Sequence, residues 1–144
     1  MTEIVFDRFD QTDAWTLGVA MHAEATKRNY PIVIDIRRGE TPMFSVMLPG
    51  AGELNFDWAR RKRNLTLLTG VASWTHAENL AAGDDLLATM GLDPRDYTAH
   101  GGCVPIRVRG VGIVATVTIS GLPQKEDHDF AVACVLDYLN DQKK

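Results

Sequence analysis

Cysteine is scarce in this sequence. Only Cys103 and Cys134 occur among its 144 residues, and they form no Cys-x-x-Cys pair. The sequence therefore indicates no disulfide framework, and we expect two buried, structural cysteines in a reducing, cytoplasmic compartment. The segment 1–7 is acidic and lacks the apolar stretch of a signal peptide. No apolar run approaches the roughly 18 residues of a membrane span, so we expect no membrane as a partner.

Positive charge is also limited. The 15 lysines and arginines are outnumbered by 19 acidic residues, for a net charge of −4, which disfavours a dedicated nucleic-acid binder. One short basic run, Arg-Arg-Lys-Arg at 60–63, is typical of a solvated helix face, with anion or subunit contact as the alternative. Phosphate-binding loop, dinucleotide-binding and His-Glu-x-x-His motifs are absent, and the four histidines show no paired metal-ligand spacing, so any metal ligands stay unassigned.

The residues that are present predict one domain over residues 1–144, with 45% hydrophobic and 24% charged residues. Asp13 or Thr12 is expected to cap the first helix, and Asn29 to end it in a left-handed conformation. Thr75 and Glu78 have the spacing of a capping box. The predicted elements are a helix over 13–29, strands over 32–36 and 43–48, helices over 54–72 and from 75 to 90, strands over 104–109 and 111–119, and a helix from 123 or 124 to 140.

The order of these elements is α-β-β-α-α-β-β-α. Two hairpins separated by helices predict an α+β layered domain with one mainly antiparallel sheet. The strands are apolar at successive positions, whereas a sheet with one wet face would alternate. We therefore expect helices on both faces of the sheet, or a subunit partner on one of them.

The first candidate site segment is His100-Gly101-Gly102. Two glycines allow positive φ angles and a close approach of the backbone to a ligand. A histidine beside them could bind a metal or haem iron, or transfer protons near neutral pH. An ordinary flexible loop that leads into a strand is the alternative.

The second segment joins the last strand to the last helix and includes Ser120, Gly121, Asp127 and His128. Helix N-termini attract anions through free N–H groups and the helix dipole, so this junction could hold a carboxylate, a phosphate or a cofactor propionate. A plain capped helix is the alternative. A Ser-His-Asp hydrolase is disfavoured, because Ser120 lacks a Gly-x-Ser-x-Gly turn.

The third segment is the start of the long helix, where Asn55, Trp58, Arg61 and Lys62 occur. Trp58 and Lys62 are four residues apart and share a helix face. Trp58 could line a pocket for a planar ligand, or it could anchor the helix on the sheet.

Together these three segments resemble an uncharacterised family of the haem-degrading, GlcG/HbpS-like superfamily. The resemblance spans roughly residues 15–142. It implies a profilin-like fold, with an antiparallel sheet flanked by helices on both faces, assembled into homo-oligomers. It also makes haem a possible cofactor, with His100 as the first and His128 as the second candidate for the catalytic or iron-binding residue.

The function expected from this resemblance is that of an oligomeric small-ligand-binding protein whose ligand is haem or a small anionic metabolite. In this hypothesis His100 coordinates iron or accepts a proton, and Trp58 packs on the ligand. Ser120, Gly121 and the N–H groups that follow hold an anionic group, with Arg61 or Lys62 neutralising its charge. The remaining candidate ligand residues are Asn55, Gly101, Gly102 and Asp127. A non-catalytic assembly or adaptor protein, and an accessory enzyme acting on a small hydroxy acid or aldehyde, remain as alternatives.

Overall fold

Two β-hairpins and a short first strand form a five-stranded sheet in the structure, a computed structural model that describes residues 4–144. Residues 1–3, which belong to the acidic segment 1–7 and to the domain expected over 1–144, lie outside the described part. In chain order the elements are β1 (Val5–Phe6), α1 (Gln11–Lys27), β2 (Val33–Arg38), β3 (Thr41–Met47), α2 (Glu53–Thr69), α3 (Ser73–Ala81), α4 (Leu86–Met90), β4 (Cys103–Val108), β5 (Gly112–Ser120) and α5 (Gln124–Gln142).

The sheet has the strand order β1-β4-β5-β2-β3. The two predicted hairpins, β2–β3 and β4–β5, are antiparallel, and β2 and β5 join them in antiparallel register. The predicted α+β fold is thus confirmed. The sequence did not predict β1, a strand of two residues that pairs in parallel with β4 through Val5 and Arg107.

One face of the sheet, which we call the apolar face, packs against α1 and α5. Alternating residues of the two central strands point into this layer, as the two-residue period of a strand requires. They meet apolar side chains of the two helices in a single buried core. Its members include Ile34, Ile36, Val117, Ile119, Leu17, Met21 and Val135.

The opposite face, which we call the polar face, is covered by α2. Here the strands bury Asp35, Thr116 and Thr118 in place of aliphatic side chains. Asp35 is 1% exposed and accepts hydrogen bonds from Arg63 of α2 at 3.1 Å and from Arg37 at 2.9 Å. The expected helices on both faces are therefore present, and the two helical layers differ in chemistry.

The basic run 60–63 is the main correction on this face. Lys62 and Arg63 are only 3% and 4% exposed, so the prediction of a solvated helix face is wrong for these two residues. The helix turns both side chains toward the sheet, where buried carboxylates compensate their charge.

Several helix ends also differ from the predictions. The first helix is capped by Asp10, which exchanges hydrogen bonds with the backbone and side chain of Asp13, so neither Thr12 nor Asp13 is the cap. The predicted capping box at Thr75 does not form, because α3 already begins at Ser73. The helix expected to reach residue 90 ends at Ala81, and α4 follows as a separate short helix. Asn29 has a φ of 55°, the left-handed conformation predicted for it.

Both cysteines are free thiols; Cys103 is buried and Cys134 half-buried. Within residues 4–144, no helix combines the length and the apolar composition needed to cross a lipid bilayer.

Candidate functional site

The three segments singled out in the sequence meet at a cleft of about 220 Å³ between the start of α2, the start of α5 and the loop before β4. Seven of the predicted site residues line it, together with Leu122 and Gln124, which the sequence analysis did not identify. The seven are Asn55, Trp58, Lys62, His100, Ser120, Gly121 and Asp127.

Lys62 lies at the base of this cleft. Its ammonium group donates to the carbonyl oxygen of Ile119 at 3.0 Å and to Oδ2 of Asp127 at 3.1 Å. An ammonium group carries three N–H donors, and residues 4–144 supply acceptors for two of them, so one is left over. Since Lys62 lines the cleft, this third donor is available to a bound molecule.

Asp127 takes the position that the sequence analysis assigned to an external anion. Its Oδ1 accepts the backbone N–H of Leu122 at 3.0 Å, and the backbone of Gly121 also hydrogen-bonds to this carboxylate. The N–H groups of Gly121 and Leu122, which precede α5, are thus used by the protein's own acid. The first turn of α5 has no side-chain cap, so the expectation that this junction holds a ligand anion stays a prediction.

Burial acts on both members of the Lys62–Asp127 pair. It lowers the pKa of Lys62 and raises the pKa of Asp127, while the attraction between the two charges works in the opposite direction for each. Both shifts favour the neutral amine and the neutral acid over the ion pair. Burial thus brings the two pKa values closer together than they are in water.

His100 stands at the rim of the cleft. Its Nδ1 shares a hydrogen bond of 2.6 Å with the hydroxyl of Thr98, and its ring meets Trp58 edge-on at 4.9 Å between ring centres. Among residues 4–144, no group hydrogen-bonds to Nε2. Partial burial, and then the positive charges of Lys62 and Arg61, lower the pKa of His100, so the ring is neutral at physiological pH.

Two side-chain amides point their donors away from the backbone. Oδ1 of Asn55 accepts the N–H of Gly52 at 3.0 Å, and Oε1 of Gln124 accepts the N–H of Gly101 at 2.9 Å. These contacts fix the orientation of both amides. The two NH₂ groups have no partner within the described part of the chain, and both residues line the cleft.

The glycines of the His100 loop make room and do not line the cleft. Gly102 has a φ of 141°, and a Cβ there would meet the Ile119 carbonyl oxygen and come within 2.8 Å of Lys62 Nζ. A Cβ on Gly101 would come within 2.9 Å of the Trp74 ring. Both positions therefore require glycine for packing around the lysine and α3.

Two predicted residues lie elsewhere. The Arg61 guanidinium stacks on the outer side of Trp58, 4.3 Å from the ring centre, and donates to the carbonyl oxygen of Pro94. His128 stacks on Trp74 and lines a separate, mostly apolar cavity of about 420 Å³ bounded by Val104 and Leu136, among others. The structure thus does not bring His128 and His100 into one site.

Metal binding by protein side chains alone has no support at the cleft. Among residues 4–144, no cluster of three or more histidine, cysteine or acidic side chains could hold a metal ion. The chemistry available is that of a lysine, a carboxyl group, a neutral imidazole and several neutral donors.

The chain is similar to proteins of one family. A family profile described as haem degrading protein HbpS-like matches residues 9–136. A UPF0303 protein of Azotobacter vinelandii is 41% identical over 138 residues, which are 95% of this chain and 83% of the relative.

Solved structures share the fold. The crystal structure of the Ybr137w protein has a TM-score of 0.86 at 28% identity and covers 97% of this chain and 83% of its own. PduOC, crystallised as a haem complex, has a TM-score of 0.74 at 19% identity, with 89% of this chain and 93% of that one covered. At that identity the second likeness concerns the fold alone.

Proposed function

The chain belongs to the HbpS-like family of haem-degrading proteins, and we propose that its cleft binds a small metabolite that carries a carboxylate or a similar oxyanion. The observation that supports this most is the excess of free donors. Lys62 offers one N–H, and Asn55 and Gln124, which line the same cleft, each carry an NH₂ group without a partner among residues 4–144. A group with several oxygen acceptors would satisfy all of them.

The size of the cleft limits the ligand. Its volume of about 220 Å³ lies below the roughly 300–1,000 Å³ typical of pockets for drug-sized molecules. A molecule of a few carbon atoms fits this space. The neutral His100 beside it could accept or return a proton of such a ligand, which suits the small hydroxy acids and aldehydes considered above.

Binding of a short carboxylate tests this proposal. We expect the protein to bind glycolate in calorimetric titration. Gln124→Glu keeps the oxygen that accepts the Gly101 N–H but replaces the NH₂ donor by a negative charge, so it should weaken glycolate binding at least about tenfold.

Gln11→Glu is the control, because Gln11, like Gln124, is the first residue of a long helix, but it is exposed and lies outside the cleft. It should leave the affinity unchanged. Absence of glycolate binding and of binding by other short carboxylates, or equal affinity of both variants, would count against the proposal.

Haem is a second candidate ligand, favoured by the family description and by the free Nε2 of His100. The cleft is too small to enclose a porphyrin, so the macrocycle would lie across its mouth beside Trp58, with His100 as the iron ligand. Haem titration followed at the Soret band tests this. An unchanged band in His100→Ala would remove the iron role of His100.

We also propose that the chain forms homo-oligomers. Several large apolar side chains are exposed in the single chain, among them Trp15 at 61%, Leu54 at 68% and Val111 at 72%. A subunit contact that covers such side chains would stabilise the oligomer by removing apolar surface from water. Light scattering of the purified protein gives the mass directly, and a monomeric mass at micromolar concentration would contradict this part.

A further inference from the structure

We propose that Lys62 forms an imine with the carbonyl carbon of a small aldehyde or 2-oxo acid bound in the cleft. The inference rests on the proposed function, since the amides of Asn55 and Gln124 would hold the ligand's carboxylate. It goes further in naming a covalent step and the class of substrate.

The first support is the position of Lys62. Of the five lysines, Lys62 alone is buried, whereas Lys27, Lys125, Lys143 and Lys144 are exposed. It is also the lysine that lines a cleft. Desolvation favours the neutral amine, which is the form that attacks a carbonyl group.

The second support is the carboxyl group of Asp127, whose Oδ2 lies 3.1 Å from Nζ of Lys62. It is 1% exposed and is held by the backbone at the start of α5, so it cannot turn away to solvent. Its raised pKa allows it to take the ammonium proton and to give it back.

The step balances with these two groups. Asp127 removes one proton from the ammonium group, the amine nitrogen attacks the carbonyl carbon, and one amine proton moves to the carbonyl oxygen, which gives a carbinolamine. Asp127 then returns its proton to that hydroxyl group, which leaves as water. The C=O bond is replaced by a protonated C=N bond, and no oxidant or reductant is required.

One of the two hydrogen bonds of Lys62 survives this change. The protonated imine keeps one N–H, which continues to donate either to the Ile119 carbonyl oxygen or to Asp127. The amides of Asn55 and Gln124 would hold the carboxylate of a 2-oxo acid beside the new bond.

Reductive trapping tests the proposal. The full chain is incubated with glyoxylate and sodium cyanoborohydride, and intact mass and peptide mapping follow. We expect one carboxymethyl group per chain, located on Lys62. Lys62→Arg, which keeps the positive charge opposite Asp127 but has no nucleophilic amine, should lose this adduct, whereas Lys125→Arg at an exposed position should retain it.

Asp127→Asn separates a chemical role from a merely structural one. The amide keeps an oxygen for the Leu122 N–H but cannot shuttle the proton, so trapping should slow by roughly 10²-fold while glycolate still binds. An unchanged rate in a variant that folds would remove the proton role of Asp127.

The possible failures can be told apart. Glycolate binding without an adduct on Lys62, or adducts spread over the exposed lysines, would overturn the imine and leave the proposed function standing. If neither glycolate nor glyoxylate binds and no adduct forms on Lys62, both proposals fail.

Discussion

The two faces of the sheet are built from the same strands but serve different purposes. On the apolar face, Ile34, Ile36 and Val117 belong to the buried hydrophobic core beneath α1 and α5. On the polar face, Asp35 and Thr116 come from the same strands but lie buried under α2. Each strand thus alternates between an aliphatic core and a buried charge network, one residue apart.

The two faces thus divide two tasks: the apolar face supplies most of the stability, and the polar face positions the residues of the cleft. Burying apolar area stabilises a fold, whereas a buried ion pair contributes little net stability, because its desolvation offsets its attraction. The polar face keeps its buried charges although they add little stability. Lys62, on the helix that covers this face, lines the cleft. We interpret the ion pair of Asp35 and Arg63 as the device that fixes α2, and hence Lys62, on the sheet.

The largest effect is expected from Asp35→Ala. This change leaves the Arg63 guanidinium buried without its carboxylate. Breaking a buried pair from one side costs about 3–5 kcal/mol, so the free energy of unfolding in urea should fall by that amount. Asp137→Ala, at an exposed position, should have almost no effect.

A paired replacement sharpens the same point. Asp35→Leu combined with Arg63→Met removes both buried charges, and Arg37, which is partly exposed, keeps its bond to the Glu40 carbonyl oxygen. The double variant should therefore regain most of the stability lost in Asp35→Ala. If the double variant is as unstable as the single one, the polar face stabilises the fold through more than this ion pair.

A close contact on the apolar face gives the next effect. A Cβ on Gly18 of α1 would collide with the Phe44 ring on β3, so Gly18→Ala should destabilise the protein by about 1–3 kcal/mol. Phe44→Leu in the same chain should restore part of this loss in thermal unfolding. Two additive losses would show that the glycine is not required for this contact.

Much of the fold follows from local sequence signals. Turn residues between apolar runs located both hairpins, and Asn29 and Pro31 located the end of the first helix. The strand β1 was not predicted. A strand of two residues has no detectable period, and Arg107, the partner of Val5, is about a hundred positions away in the chain. The cap at Asp10 was missed because Asp13 matches the same preference.

The candidate site was predictable as three segments but not side chain by side chain. Consecutive helix residues point about 100° apart. Lys62 therefore reaches the cleft while Arg61 lies outside Trp58, and Asp127 reaches it while His128 faces another cavity. A sequence motif shows which residues lie next to one another in the chain, but only the packing of the helix shows which of them faces the cleft.

Small changes at buried positions of β2 and β5 compare the two faces directly. Ile34→Val removes one methylene group from the apolar core and should cost about 0.5–1.5 kcal/mol. The Thr116 hydroxyl has no hydrogen-bond partner within the described residues, so Thr116→Val should be neutral or stabilise by up to about 1 kcal/mol. Equal losses in urea unfolding would mean that the fold depends on this hydroxyl.

The smallest effect that we expect is the pH dependence of stability that arises from His128, compared with that from His100. Burial among apolar groups lowers the pKa of His128 below its ordinary 6.5, with smaller contributions from Asp129, which raises it, and Lys125, which lowers it. Below pH 6.5 the unfolded chain then binds a proton that the folded chain refuses, so stability falls as the pH is lowered toward the folded pKa.

Melting temperatures measured between about pH 8 and pH 5 should therefore decline on the acid side. His128→Phe should reduce this decline, because the phenyl ring has no group that takes up a proton at the apolar cavity. His100→Phe should reduce the decline less. His100 lies exposed at the rim of the cleft, so its protonated ring stays in contact with water and protonation costs the folded state less. If His100→Phe reduced the decline more than His128→Phe, the stronger desolvation would lie at His100, and this prediction would be wrong.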